Sequence, residues 1–270
     1  MTEKQVTVKN LQVNYKIIGQ GPPLRAGKPM LILHGWGSSS GRWERTAELL
    51  LQASAAAFEE GHMQVIIPDL PGFGATPGPA AAWNMDNYVD WLHEFVEKAP
   101  ELHGDFYLVG HSFGGALAAK FAIKYNQNVK MLFLVSAACI RKNTWIKKLL
   151  YRVSKIVKVF SFVPGYSLAR KAFYKFILKK SDYLHITGVM QETYLRLISE
   201  DLSWRLPSLK VKTIIIWGDK DDLTPIAEAH IVHEKIPNSQ LIILPGGPHG
   251  LQIKMPELLV EKIISQLNGA

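Results

Sequence analysis

The 270-residue sequence predicts an α/β protein: a mostly parallel eight-stranded sheet flanked by helices, with an inserted helical cap. Three observations carry this expectation. Short apolar, β-branched runs alternate with longer helical patterns, which is the signature of a doubly wound sheet. From Met30 onward the short runs are apolar almost throughout, as parallel strands covered on both faces must be. Between Val135 and Thr213 about 75 residues pass without a convincing strand, far beyond an ordinary connection of roughly 2–6 residues.

Candidate strands lie at 6–8, 13–18, 30–33, 65–67, 106–109, 131–135, 213–217 and 241–244. Helical spacing appears at 43–52, 85–98, 113–125, 226–234 and 256–267. The stretch Gly19-Gln20-Gly21-Pro22-Pro23 reads as a turn after an N-terminal hairpin. The long strandless stretch has its own pattern. Trp145, Ile146, Leu149, Leu150, Val153, Ile156, Val157 and Phe160 keep helical spacing, opposite Lys147, Lys148, Arg152, Lys155 and Lys158. Pro164-Gly165 breaks it, and Leu168, Ala172, Phe173, Phe176 and Ile177 resume it. The expected organisation is a core of residues 1–136 and 207–270 with a helical cap at 137–206.

Composition narrows the function. Hydrophobic residues make up 47% and charged residues 20%, as in a globular domain. No apolar run approaches the roughly 20 residues of a membrane span, and the start lacks a secretory signal's apolar core. Cys139 is the single cysteine, so no internal disulfide or Cys/His metal cluster can form, and a cytoplasmic location is expected. The net charge of +8 is local: twelve of the 31 Lys and Arg fall in 141–180, which holds no Asp or Glu. The other 19 face all 23 acidic residues, leaving the remainder near −4. Nucleic-acid binding, which needs a basic face on the main fold, is therefore not expected.

Chemistry concentrates at strand ends. Gly110-His111-Ser112-Phe113-Gly114-Gly115 joins a predicted strand to a predicted helix, and Gly-x-Ser-x-Gly there is the nucleophile-elbow pattern. A strained Ser backbone demands small neighbours two residues away on each side. A serine also needs a base. Of nine histidines, His249 lies in the loop between the last strand and last helix, at the sheet edge where α/β folds place ligands. The loop Trp217-Gly218-Asp219-Lys220-Asp221-Asp222-Leu223-Thr224-Pro225 offers three carboxylates to orient that imidazole, and spacing alone does not choose among them. Leu33-His34-Gly35-Trp36-Gly37 can aim a backbone N–H at the elbow, and the N–H of Phe113 supplies a second donor for an oxyanion. Asp69-Leu70-Pro71-Gly72-Phe73-Gly74 reads as a tight turn, with Asp69 holding backbone.

These segments together resemble, in order, the successive signatures of the α/β-hydrolase family, over nearly the whole chain outside the cap. The resemblance implies Asp221 as the acid, because the family's acid lies three residues after the Gly and four before the Pro. It also implies Trp36 and Phe113 as oxyanion donors, and a cap at the position of the basic insert. A Ser in place of Asp at the elbow argues against dehalogenase and epoxide-hydrolase activity. The implied activity is carboxylic ester hydrolysis through an acyl-enzyme on a Ser112–His249–Asp221 triad, with a small ester or acyl substrate and no metal or organic cofactor. Carbon–carbon bond hydrolysis and cofactor-free haloperoxidation use similar triads, and a ligand receptor of the same fold is the non-catalytic alternative. The basic cap allows a solvated face, a docking site for an acidic carrier protein, or contact with an anionic membrane through Trp145, Phe160 and Phe162.

Overall fold

The computed structural model describes residues 1–19, 28–57, 63–141 and 187–267. Their strands are β1 (Thr2–Val8), β2 (Leu11–Ile18), β3 (Met30–Leu33), β4 (Val65–Pro68), β5 (Phe106–His111), β6 (Val129–Val135), β7 (Thr213–Gly218) and β8 (Ser239–Leu244). They form one sheet in the order β1-β2-β4-β3-β5-β6-β7-β8. The hairpin β1–β2 and the pair β2–β4 are antiparallel, and every other neighbour is parallel. At the hairpin turn Lys9 and Asn10 both have positive φ, the pattern of a type I′ turn that matches strand twist.

Seven helices accompany the strands among the described residues: α1 (Glu44–Ala57), α2 (Met85–Lys98), α3 (Phe113–Lys124), α4 (Gly188–Ser199), α5 (Ile226–Lys235), α6 (Leu251–Lys254) and α7 (Pro256–Leu267). The near-continuous apolar strands are explained by two cores, one on each face of the sheet. Leu31, Leu33, Leu108, Leu132, Leu134 and Ile215 point into the layer holding α2, α3 and α5. Their neighbours Met30, Ile32, Val109, Met131, Phe133 and Ile214 point into the layer holding α1 and α7. Burying each such side chain contributes about 1.5–3 kcal/mol before entropy is counted.

Helix α2 starts where Asn84 and Asn87 cap each other, each side chain accepting the other's backbone N–H. Helix α3 is apolar on nearly all sides because it lies under the next layer. Its one buried cation, Lys120, bonds Asp86 Oδ1 of α2 at 2.8 Å and Glu200 Oε1, just past α4, at 2.5 Å. Helix α4 is thereby tied to the core at its C-terminal end. Of the expected cap, residues 137–141 and 187–206 are described; the amphipathic stretch from Trp145 and the basic residues after Arg141 lie outside the described residues. So do the turn residues 20–23. The expected helix at 43–52 begins one residue later and runs on to Ala57, because Ser40–Trp43 forms a separate 3-10 turn. Among the described residues no helix is long and apolar enough to cross a membrane.

Candidate active site

The turn from β5 into α3 is as strained as its sequence demands. Ser112 has φ 53° and ψ −117°, in the left-handed half of backbone space that non-glycine residues avoid. The cramped geometry explains its flanking glycines. A Cβ on Gly110 would lie 2.4 Å from Gly114 O, inside the helix turn it faces. One on Gly114 would lie 2.3 Å from Leu33 O and 2.5 Å from His34 O. The crowding at Gly114 thus includes the end of β3. That close approach sets the His34–Trp36 turn directly beside the elbow.

Asp221 and His249 meet from two other strand ends. His249 Nδ1 lies 2.8 Å from Asp221 Oδ2, whose side chain is wholly buried while the imidazole keeps 15% of its surface. The Asp221 carboxylate also accepts the N–H groups of Leu223 and Thr224 on Oδ1, at 2.9 and 2.8 Å. The Thr224 hydroxyl donates to Oδ2 at 2.8 Å. Burial alone would raise this carboxyl's pKa, but the bonds from His249 and Thr224 outweigh it and hold the group below its ordinary value. An ionised carboxylate with four donors has little capacity left to take a proton, so its role toward His249 is to fix the ring and its tautomer.

Among the described residues no hydrogen bond joins Ser112 Oγ to His249; the two are connected through the preceding residue. His111 Nε2 lies 3.0 Å from the backbone oxygen of His249, and the two imidazole rings stand 4.9 Å apart. Apo hydroxyls often lack the bond that forms with substrate. Neither Trp36 nor Phe113 gives its backbone N–H to another described group. At Phe113 that is the usual condition of a helix's first N–H groups. These are the two donors expected for an oxyanion.

Asp69 does what its turn suggested. Its oxygens accept the N–H groups of Ser40 at 2.7 Å and Ala75 at 2.9 Å. His34 is equally committed to backbone: Nδ1 lies 2.8 Å from Gly35 O and Nε2 accepts Leu70 N–H at 3.0 Å. Burial pushes its pKa down to about 4, so it is neutral at pH 7. Of the other candidate carboxylates, Asp219 Oδ1 accepts Gly246 N–H at 2.7 Å, a turn contact near His249. His93 stacks on Tyr125, and His103 and His233 bond Glu97 O and Ser239 Oγ, remote from the elbow. His62 and His185 lie outside the described residues.

Four residues near the site escaped the sequence reading. Thr224 supports the carboxylate, and its spacing three residues after Asp221 is a legible turn signal. Ser136, with φ 45°, ends β6 beside the elbow, and its oxygen lies 3.3 Å from the Thr224 hydroxyl. Tyr194 of α4 packs on Trp36 with ring centroids 5.2 Å apart, completing an aromatic wall with Phe73 and Phe113. His111 is the fourth. Periodicity carries no signal for the last three.

This architecture and rim define a class. The chain belongs to the α/β-hydrolase family: the family described as having an alpha/beta hydrolase fold matches residues 28–256. It is 26% identical to Lipase 1 of Psychrobacter immobilis, over 87% of this chain and 74% of that protein. It is 24% identical to monoacylglycerol lipase ABHD6 of Homo sapiens, over 88% of this chain and 74% of that protein. Among solved structures, an esterase from Exiguobacterium antarcticum superposes with a TM-score of 0.72 at 21% identity, covering 98% of this chain and 99% of that one.

Proposed function

We propose that the protein hydrolyses carboxylic esters through an acyl-enzyme, with Ser112 as nucleophile, His249 as general base and Asp221 orienting the base. The observation that carries this reading is the Asp221–His249 hydrogen bond, its carboxylate buried, on the rim where Ser112 holds a left-handed backbone. His249 Nε2 takes the Ser112 proton as Oγ attacks the carbonyl carbon. The N–H groups of Trp36 and Phe113 hold the developing oxyanion. The C–O bond to the alcohol then breaks, and His249 returns its proton to the leaving oxygen. Water, deprotonated by His249, attacks the acyl carbon and restores the serine.

The aromatic wall of Trp36, Phe73, Phe113 and Tyr194 suits an apolar acyl or alkyl group. Lipase 1 and the monoacylglycerol lipase among the relatives point the same way. Residues 137–206 act as a cap in this reading, with α4 supplying Tyr194 to the wall.

The test is turnover of a panel of p-nitrophenyl esters of increasing acyl length, with a vinylogous diketone alongside. Wild-type protein should cleave the esters, and Ser112→Ala should lose several orders of magnitude, on the roughly 10⁶-fold scale of such losses. Near-normal ester turnover by that variant refutes the assignment. Turnover of the diketone alone would replace ester cleavage with carbon–carbon hydrolysis.

A further inference from the structure

We infer that His111 is a positioning residue that sets the loop of the base and the oxyanion turn in register with the nucleophile it precedes. The inference rests on the reading of Ser112 and His249 as the reactive pair, and it adds a role that the three triad residues do not provide.

His111 is the last residue of β5, so its backbone leads directly into the strained serine. Its side chain is buried, and its neighbours come from separate parts of the site. Nε2 lies 3.0 Å from His249 O, so the N–H donates to the backbone of the base. On the other side, a Cβ built on Gly35 would come within 3.1 Å of His111 Nδ1 and 3.3 Å of Ser112 Cβ. The oxyanion turn therefore lies directly against this ring. Trp43, itself fully buried, packs edge-on at 6.2 Å.

The protonation state follows from these contacts. A carbonyl oxygen can only accept, so the bond to His249 O places a proton on Nε2. Nδ1 is buried and has no hydrogen-bond partner among the described residues. A second proton there would create a buried, unpaired cation beside His249, and burial accordingly depresses the pKa to about 3. His111 is thus a neutral donor of fixed tautomer.

A purely space-filling residue at this position would not require a donor. Asp221 grips the imidazole of His249 at Nδ1, but a ring held at one atom can still shift with its backbone. The bond to His249 O removes that freedom, fixing the backbone as Asp221 fixes the ring. Because the same imidazole abuts Gly35, a displacement of the base loop would be felt at the oxyanion turn as well. Misplacement of reacting groups by about 1 Å costs on the order of 10²-fold in rate.

Two measurements test this. In wild-type protein, long-range ¹H–¹⁵N correlation spectra of the histidine side chains should show His111 neutral at pH 7 with its proton on Nε2. A proton on Nδ1, or on both nitrogens, overturns the proposal without any variant being made. The second compares His111→Leu, which fills the space without a donor, with His111→Gln, whose side-chain N–H₂ reaches nearly as far as Nε2. Fluorophosphonate labelling and kcat should fall about 10- to 100-fold in His111→Leu, with KM within about twofold, and recover most of that loss in His111→Gln. Equal rates for wild type and His111→Leu, or a folded His111→Gln as slow as His111→Leu, overturn the role of His111. Wild-type protein that takes no label at all overturns the hydrolase reading itself.

Discussion

The rim of the sheet contains two His–Asp neighbourhoods built from the same residue types, and their hydrogen bonds are committed differently. At the end of β3, His34 has both ring nitrogens engaged with backbone and is completely buried, while Asp69 holds the N–H groups of Ser40 and Ala75. After β7 and β8, Asp221 accepts from His249 Nδ1, and the imidazole keeps solvent access with Nε2 uncommitted among the described residues. The first neighbourhood spends all its polar capacity on holding turns. The second leaves His249 Nε2 without a partner among the described residues, on the sheet edge that also carries the strained Ser112. In the proposed mechanism, that unbonded nitrogen is what separates a base from a scaffold.

That contrast can be broken most severely at the two carboxylates. Asp221→Asn should lower kcat by about 10⁴-fold, because an amide no longer selects the tautomer that leaves Nε2 bare. Asp69→Asn should instead cost about 1–3 kcal/mol of stability, since one backbone donor now faces an amide N–H₂. Steady-state kinetics and urea denaturation of both variants read the difference; a large kcat loss with Asp69→Asn and none with Asp221→Asn would invert the comparison.

A smaller effect is expected at Thr224. Thr224→Val removes the hydroxyl that donates to Asp221 Oδ2 while keeping the side chain's shape. The expected loss is about tenfold in kcat, equivalent to one hydrogen bond of about 1.4 kcal/mol. Unchanged kcat would mean that the three remaining donors hold the carboxylate by themselves.

The buried imidazoles also sharpen the comparison through pH. His34 and His111 have folded pKa values of about 4 and about 3, below the ordinary value of 6.5. In the range between, the unfolded chain binds protons that the folded chain refuses, so their stabilising contribution is full above pH 6.5 and declines as pH falls toward 4. Together they should remove on the order of 5 kcal/mol by pH 4, beginning before carboxylates titrate. Urea midpoints recorded from pH 7 to 4.5 check this, and a flat profile between pH 6.5 and 5 would contradict neutral burial of these rings.

Much of this arrangement is legible in the sequence because it repeats a rule. Apolar runs mark the strands, and the predicted helices at 85–98 and 256–267 have the observed bounds of α2 and α7. The elbow, the His249 loop and the Asp219–Asp222 turn are recognisable since each needs glycines or carboxylates at fixed offsets. Other features rest on partners distant in sequence. The placing of β4 between β2 and β3, His111 reaching His249, and Tyr194 reaching Trp36 leave no local mark. Helix α4 buries only Thr193 and Leu197, so its place against the core rests on single contacts such as that of Tyr194 with Trp36.

The central claim is that Ser112 alone among the serines is activated. Peptide mapping by mass spectrometry after brief exposure to a fluorophosphonate tests it most directly. The expected result is one adduct, on the peptide containing Ser112, absent from Ser112→Ala and formed far more slowly in His249→Ala. An adduct on another residue, or labelling that survives the loss of the Ser112 hydroxyl, would contradict it.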